Sequence, residues 1–307
     1  MPSALVTGAT GLLGRQVAKA FSDAGWQTTG TGFRRASSTI HEVDIKDSEA
    51  VTQLLDEVKP QVIVHCAADR QPDSCTKNPQ EARRLNVTAT ESLASLAASH
   101  NAFLIYISTD YVFPGVAGQA PYKADDPPKP TNIYGQTKLD GENAVLKHSG
   151  TVVLRVPVLY GPTLPADNNQ ESAVNILMDA LYTSQKEPVK MDDWAIRYPT
   201  NVEDVARVCV DIAKLYTSEK DNLPRILQFS SEDRMTKYEI CKKFAEIMGL
   251  PMDGLVADKD GGKPGADGTL RPYDCHLDTS ELKNLGIDIA TVDFVAWWRR
   301  KVGAFRH

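Results

Sequence analysis

The sequence predicts an α/β fold: a doubly wound parallel sheet followed by a smaller C-terminal α/β lobe of the substrate-binding type. Three observations predict it. Short apolar or β-branched runs alternate with amphipathic helical stretches over the first 160 residues. A glycine-rich turn separates the first such run from the first helix. After Tyr160 the alternation gives way to a polar loop and longer helices.

Strands are expected at residues 3–6, 27–30, 62–65, 103–107 and 152–156. They lack the polar alternation of a half-exposed strand, as suits a parallel sheet covered on both faces. Between the first two, Leu13, Val17 and Phe21 recur at helical spacing and Gly25 closes the helix. A second helix is expected over 48–58, stopped by Pro60. This is the rhythm of the Rossmann arrangement.

Beyond it, 161–170 read as a Pro- and Asn-rich loop, and helices are expected at 172–181 and 202–216. The second of these carries Val202, Val205, Cys209 and Ile212 on one face. A further helix opens at a capping box, Thr236 and Glu239, and ends at Gly249-Leu250-Pro251. It is expected to bury Tyr238, Cys241, Phe244 and Ile247 or Met248. Residues 252–272, rich in Gly and Asp, read as one long loop, and the tail 293–307 is aromatic and basic. The division expected is a first domain over 1–160, with part of 198–230 open to either side, and a smaller lobe over 161–307.

A chain of 307 residues is ample for a buried core. Its net charge of −6 offers no basic field to nucleic acid or an anionic membrane. No apolar run approaches the roughly 20 residues of a membrane span. The first strand is expected from Ser3, which leaves no room for a signal or transit peptide. Five scattered cysteines and six histidines show neither CxxC pairs nor ligand spacing, so no disulfide framework and no metal site are expected. Reduced thiols suit a cytoplasmic (cytosolic) or nuclear protein.

Thr7-Gly8-Ala9-Thr10-Gly11-Leu12-Leu13-Gly14 follows the first strand and opens the first helix. Gly8, Gly11 and Gly14 let the backbone turn sharply and approach a pyrophosphate, and the helix N-terminus offers free N–H groups. The competing reading is a tight glycine turn with no ligand. An acidic residue about 20 positions on would signal NAD(H) by holding the ribose 2′-hydroxyl. Here Gly32-Phe33-Arg34-Arg35 stands instead. Two guanidiniums suit a 2′-phosphate, so NADP(H) is expected over NAD(H), the competing reading being a solvated surface Arg pair. Asp44-Ile45 is placed to flank the adenine, or is an ordinary loop acid with its neighbour.

Ser108-Thr109-Asp110-Tyr111 follows the fourth strand, and Tyr134-Gly135-Gln136-Thr137-Lys138 follows some 25 residues on. Tyr134 and Lys138, at i and i+4, share a helix face. A lysine ammonium beside a phenol lowers its pKa, so Tyr134 can exchange a proton with a carbonyl oxygen while a nicotinamide moves a hydride. Lys138 also reaches the ribose hydroxyls, and Thr109 or Ser108 bonds the same carbonyl oxygen. The alternative is an amphipathic helix with a surface lysine.

These residues resemble the extended short-chain dehydrogenase/reductases, and within them the dTDP-4-dehydrorhamnose reductase-like branch. The stretches that carry it are 7–14, 108–113, 134–142 and 271–277. A closer likeness is to the regulatory β subunits of methionine adenosyltransferase. It rests on residues 32–36, 64–70, 85–87, 102–107, 154–161, 171–174 and 235–239, with Met191-Asp192, Trp194 and 197–200. The likeness covers nearly the whole chain. It implies a protein that keeps a reductase fold and cofactor site but acts by binding the catalytic subunit that makes S-adenosylmethionine. By this likeness NADP contacts fall on Thr10 to Leu13, Phe33, Arg34, Arg35, Asp44, Ile45, Cys66, Arg70, Tyr134 and Leu159. Contacts with the catalytic subunit fall on Trp298, Arg299, Phe305 and His307. Trp and Arg are favoured anchors, but Trp297 and Trp298 serve equally to dock the last helix on its own core. One departure stands out. The dehydrorhamnose reductases carry a tryptophan near the sugar, and the matching position here is Val158. The resemblance leaves two functions in view, a regulatory NADP(H)-binding subunit and an NADPH-dependent reductase of a nucleotide sugar or other carbonyl. A nucleotide-sugar epimerase, which favours NAD, fits Arg34-Arg35 less well.

Overall fold

The computed structural model of the protein describes residues 1–33, 39–164, 169–218, 223–265 and 268–304. β1 (Ser3–Thr7), α1 (Leu12–Asp23), β2 (Gln27–Gly32), β3 (Ile40–Glu42), α2 (Ser48–Val58) and β4 (Val62–His65) come first. The chain continues through α3 (Pro72–Lys77), α4 (Pro79–Arg83), a π-helical turn at Arg84–Ala89 and α5 (Thr90–Ser99). β5 (Phe103–Thr109), α6 (Ile133–Val145), β6 (Thr151–Val156) and β7 (Leu159–Tyr160) follow. The remainder is α7 (Ile176–Ser184), β8 (Val189–Asp192), β9 (Thr200–Asn201), α8 (Val202–Ser218), β10 (Ile226–Gln228), α9 (Lys237–Met248), β11 (Leu255–Asp258), α10 (Ser280–Asn284) and α11 (Phe294–Val302).

Seven strands form one parallel sheet in the order β10-β6-β5-β4-β1-β2-β3. The continuous apolar runs follow from burial on both faces. Ala4, Val6, Val62, Val64 and Ile105 pack toward α1 and α8, while Leu5, Ile63, Leu104 and Tyr106 pack toward α2 and α5. The strand order reverses between β1 and β4, and a doubly wound sheet opens its ligand crevice at such a point. The helix ends are chemically specified. Asp47 accepts bonds from the Glu49 and Ala50 amides to start α2, and Lys59, at φ 46°, ends it just before Pro60.

The sheet is completed from far along the chain. β10 pairs with β6, and α8 packs along α1, its Val202, Val205, Cys209 and Ile212 all fully buried. The smaller lobe holds two short parallel pairs, β8 with β11 and β7 with β9, together with α7, α9 and α11.

Three expectations in this lobe are corrected. The helix expected at 172–181 begins at Ile176, because the Ser172 hydroxyl accepts from the Val174 and Asn175 amides and holds a turn ahead of it. The buried face of α9 is Ile240, Cys241, Phe244 and Ala245, since the helix contacts both α7 and α11; Tyr238, Ile247 and Met248 are half-buried. The long loop expected at 252–272 contains β11, whose four residues are held by pairing with β8 rather than by a pattern of their own. Among the described residues no helix is long and apolar enough to cross a membrane, no group of three or more His, Cys, Asp or Glu is placed to hold a metal ion, and all five cysteines are free.

Candidate functional site

The glycine turn after β1 is closed as tightly as backbone allows. Gly8 sits at φ +66°, and a Cβ there would lie 2.9 Å from the Ala67 nitrogen. A Cβ on Gly14 would lie 2.2 Å from the Gly8 oxygen. Only glycine permits this approach, and it leaves the first amides of α1 facing the space beyond the sheet.

That space is a cavity of about 870 Å³ at the C-terminal ends of the strands. One wall is the phosphate loop, Gly8 with Thr10, Gly11, Leu12, Leu13 and Gly14. Phe33, Asp44 and Ile45 line it where β2 and β3 end, Cys66 and Arg70 beyond β4, and Leu159 on β7. Thr109, Tyr134 and Lys138 line it from β5 and α6. All the described residues singled out for the cofactor and the chemistry therefore face one cavity. Arg34 and Arg35 lie outside the described residues.

Asn132 caps α6 by accepting from the Gly135 amide, and the helix then presents Tyr134 and Lys138 on one face. Lys138 is 3% exposed; its Nζ donates to the Ile107 carbonyl at 2.7 Å and sits 4.0 Å above the Tyr106 ring. Burial pushes its ammonium down to about 7, with Glu142 pulling the other way. The Tyr134 phenol stands above its ordinary value, raised by burial, with a Thr109 hydrogen bond opposing. The lowering expected from a nearby ammonium is thus not what this structure gives. Burial dominates, and the Lys138 charge is itself disfavoured and bonded to a carbonyl.

Between the two candidate hydroxyls the structure separates the roles. Ser108 donates to the Glu142 carboxylate at 2.5 Å. Thr109 donates to Asp110 Oδ1 at 3.0 Å and accepts from the Tyr111 amide, and it lines the cavity with Tyr134.

The Lys138 shift carries a pH signature. In the unfolded chain the amine keeps its proton to about 10.4, whereas folded Lys138 sheds it from about 7. Between these values the unfolded state binds more protons, so stability rises with pH. The burial penalty is full below about pH 7 and is relieved above it. Wild type is expected to gain unfolding free energy relative to Lys138→Met between about pH 7 and about pH 9. Urea titrations at each pH measure this, and a constant difference would contradict it.

The cavity extends to a cationic far end that the motifs did not signal. Arg197, Lys237 and Arg271 all line it. Arg197 is 5% exposed, and its Nη2 has no hydrogen-bond partner among the described residues. Its guanidinium lies 5.7 Å from the Tyr111 ring, and its charge opposes the burial that pushes Asp110 up to about 6. The sequence placed Lys237 on a helix and Arg271 in a loop, and gave Arg197 only through the resemblance, without linking the three. A basic residue inside the apolar run Trp194-Ala195-Ile196-Arg197-Tyr198 was the available signal.

The model of the RmlD substrate binding domain family matches residues 2–303. Mouse (Mus musculus) methionine adenosyltransferase 2 subunit beta is 45% identical over 284 residues, which is 92% of this chain and 82% of that protein. The chain belongs to the methionine adenosyltransferase β-subunit family, within the RmlD-like branch. Solved structures show the same fold for this β-subunit-family chain. The dTDP-4-dehydrorhamnose reductase of Bacillus anthracis, in complex with NADP, has a TM-score of 0.80 at 22% identity, covering 98% of this chain and 97% of that one. The Clostridium acetobutylicum dTDP-4-dehydrorhamnose reductase ortholog has a TM-score of 0.81 at 24% identity, covering 98% of each.

In this β-subunit-family chain the tail departs from the exposed aromatic anchor expected of it. Trp298 is fully buried, against Tyr160, Phe244 and Phe294, because α11 closes the core of the smaller lobe. Trp297 is also buried and donates to Glu203 at 3.0 Å. Arg299 is half-buried, and Phe305 and His307 lie outside the described residues. Val158 lines the cavity where the dehydrorhamnose reductases are expected to carry tryptophan.

Proposed function

We propose that the chain is an NADP(H)-binding regulatory subunit of methionine adenosyltransferase, which docks on the catalytic subunit and modulates S-adenosylmethionine synthesis. The observation that carries this reading is the 45% identity, over 92% of the chain, to a protein named as subunit beta of that enzyme. Trp298, Arg299, Phe305 and His307 are the contacts the resemblance assigns to the partner; of these Trp298 is buried in the smaller lobe and would serve by docking α11, which carries Arg299. The free thiols suit a cytosolic or nuclear setting. In this reading residues 1–160, together with α8 and β10, carry the cofactor, and the rest of 161–307 carries the partner contacts.

The cavity suits a dinucleotide, since Gly8 and Gly14 let the turn after β1 fold tightly on its own backbone, and that turn and the start of α1 line the cavity where a pyrophosphate would meet helix N-terminal amides. Gly8 and the residues from Thr10 to Gly14 would hold the pyrophosphate, and Phe33, Asp44 and Ile45 the adenosine. Arg34 and Arg35 would meet the 2′-phosphate. Cys66, Arg70, Leu159, Tyr134 and Lys138 would line the remaining ribose and nicotinamide. When bound, NADPH supplies a hydride donor. Lys138 orients the ribose side of the site, and Tyr134 with Thr109 holds a proton at a phenol oxygen facing the cavity.

The partner reading is tested by affinity capture of the tagged full chain from cell extract, with identification of bound proteins. Recovery of the catalytic subunit of methionine adenosyltransferase, and its loss on deleting residues 303–307, is expected. Capture without that subunit would end the reading.

A second reading is favoured by one observation. Thr109, Tyr134 and Lys138 share their cavity with Arg197, Lys237 and Arg271, which suits an NADPH-dependent reductase of an anionic carbonyl substrate such as a nucleotide sugar. Val158 weighs against dehydrorhamnose itself. Loss of NADPH absorbance with dTDP-4-dehydrorhamnose would support this reading, and a flat trace at high protein concentration would exclude that substrate.

A further inference from the structure

Two segments wall the cavity at its phosphate-loop end. One is the loop and the start of α1. The other includes the single helical turn Asn169–Glu171, from which Gln170 and Glu171 face the cavity along with Ser172. Arg15, in the first turn of α1, joins the two walls. Its Nη1 donates to Glu171 Oε1 at 3.2 Å and its Nη2 to Oε2 at 2.6 Å. The same guanidinium donates to the Thr10 carbonyl in the phosphate loop at 2.6 Å. On the opposite side Arg70 donates to the Gln170 carbonyl at 3.4 Å, and Ser172 donates to the Leu159 carbonyl at 2.7 Å. The Asn169–Glu171 turn is therefore tied across the cleft from both sides.

The central tie has the features of a strong one. It is bidentate between a planar guanidinium and a carboxylate, and both side chains are only 14% and 15% exposed. Its position also has a purpose that stability alone does not require. A carboxylate beside a pyrophosphate loop would repel the ligand; paired with Arg15, Glu171 becomes compatible with it.

We propose that the Arg15–Glu171 pair is a cofactor-retaining clasp: it holds the Asn169–Glu171 turn against the phosphate loop and must open for a dinucleotide to leave. This rests on the dinucleotide reading above. Breaking the pair removes charge-assisted bonds from the closed state, so the opening that both release and entry require becomes easier and both quicken. A loss of order 1.4 kcal/mol corresponds to about tenfold.

The test loads the full chain with NADPH, chases with excess NADP⁺ and follows nicotinamide fluorescence in stopped flow. Glu171→Ala is expected to release NADPH about tenfold faster, with association quickened as well. Glu171→Gln keeps the shape and one acceptor, serves if the alanine variant does not fold, and is expected to fall between. The comparison variant is Asp73→Asn. It cuts a second ion pair beside the cavity, Arg271 to Asp73, near the cationic end. Release in Asp73→Asn is expected to match wild type. Unchanged or slower release in the Glu171 variants, or equal acceleration in Asp73→Asn, overturns the clasp. Failure of wild type to bind NADPH or NADH at all overturns the dinucleotide reading and the clasp with it, a result distinct from binding with unaltered release.

Discussion

Gly14→Val is expected to weaken NADPH and NADH alike by about a hundredfold or more. The valine Cβ would fall 2.2 Å from the Gly8 oxygen, 2.7 Å from its carbonyl carbon and 3.0 Å from the Ala9 Cα. These are backbone atoms and have no rotamer in which to give way. The phosphate loop must open, and the amides at the start of α1 lose their aim. A hundredfold corresponds to about 2.7 kcal/mol, well within what a misplaced set of charge-assisted amide bonds forfeits. Changing Arg34 and Arg35 together to alanine should behave differently, weakening NADPH far more than NADH, because only the phosphorylated ribose offers them a partner. Fluorescence titration with both nucleotides reads both effects. Retained affinity in Gly14→Val would remove the phosphate-loop assignment, and equal losses in the arginine variant would remove the preference for NADP(H).

The second large effect concerns stability. Glu142 and Arg155 are each 1% exposed and form a buried pair at 2.8 Å, with a further bond from Arg155 Nε at 3.0 Å. Glu142 also accepts from Ser108, and Arg155 reaches Gln228 and the Ala124 carbonyl and lies 5.0 Å from the Phe113 ring centre. Glu142→Ala strands a buried guanidinium. Removing one partner of such a pair costs about 3–5 kcal/mol, whereas replacing both with apolar groups of similar volume is often neutral. Glu142→Ala is accordingly expected to lose several kcal/mol in urea unfolding, and the double variant Glu142→Met with Arg155→Met to recover most of it. A loss below about 1 kcal/mol in the single variant would show that water reaches the pair.

The parts of this fold that were legible in the sequence are those where one local rule suffices. Val62–His65 reads as a strand because all four side chains are buried, and α9 announces itself by the Thr236 and Glu239 capping box, present in the structure with both bonds. The phosphate loop was legible because its chemistry is a matter of glycines at three-residue spacing between a strand and a helix. What stayed hidden depends on contacts between distant segments. β11 is a strand only because β8 lies beside it. Trp298 was ambiguous until α11 was seen to close a core drawn from α7, α9 and β7. The cationic end gathers Arg197, Lys237 and Arg271 from three separate stretches, and no spacing rule links them. The effect of burial on Tyr134 and Lys138 was not legible for a related reason: helical spacing places the two side by side but not the depth at which both are buried.

The sheet's last strand has a practical consequence. Because β10 and α8 return from beyond residue 200 to finish a core begun at residue 3, cutting the chain at residue 160 would strip the outer side of β6 and uncover the greasy flank of α1. The N-terminal half is therefore not expected to fold as a module by itself. A shortened chain that is to keep this crevice must retain both ends of that excursion and shorten only what lies between them.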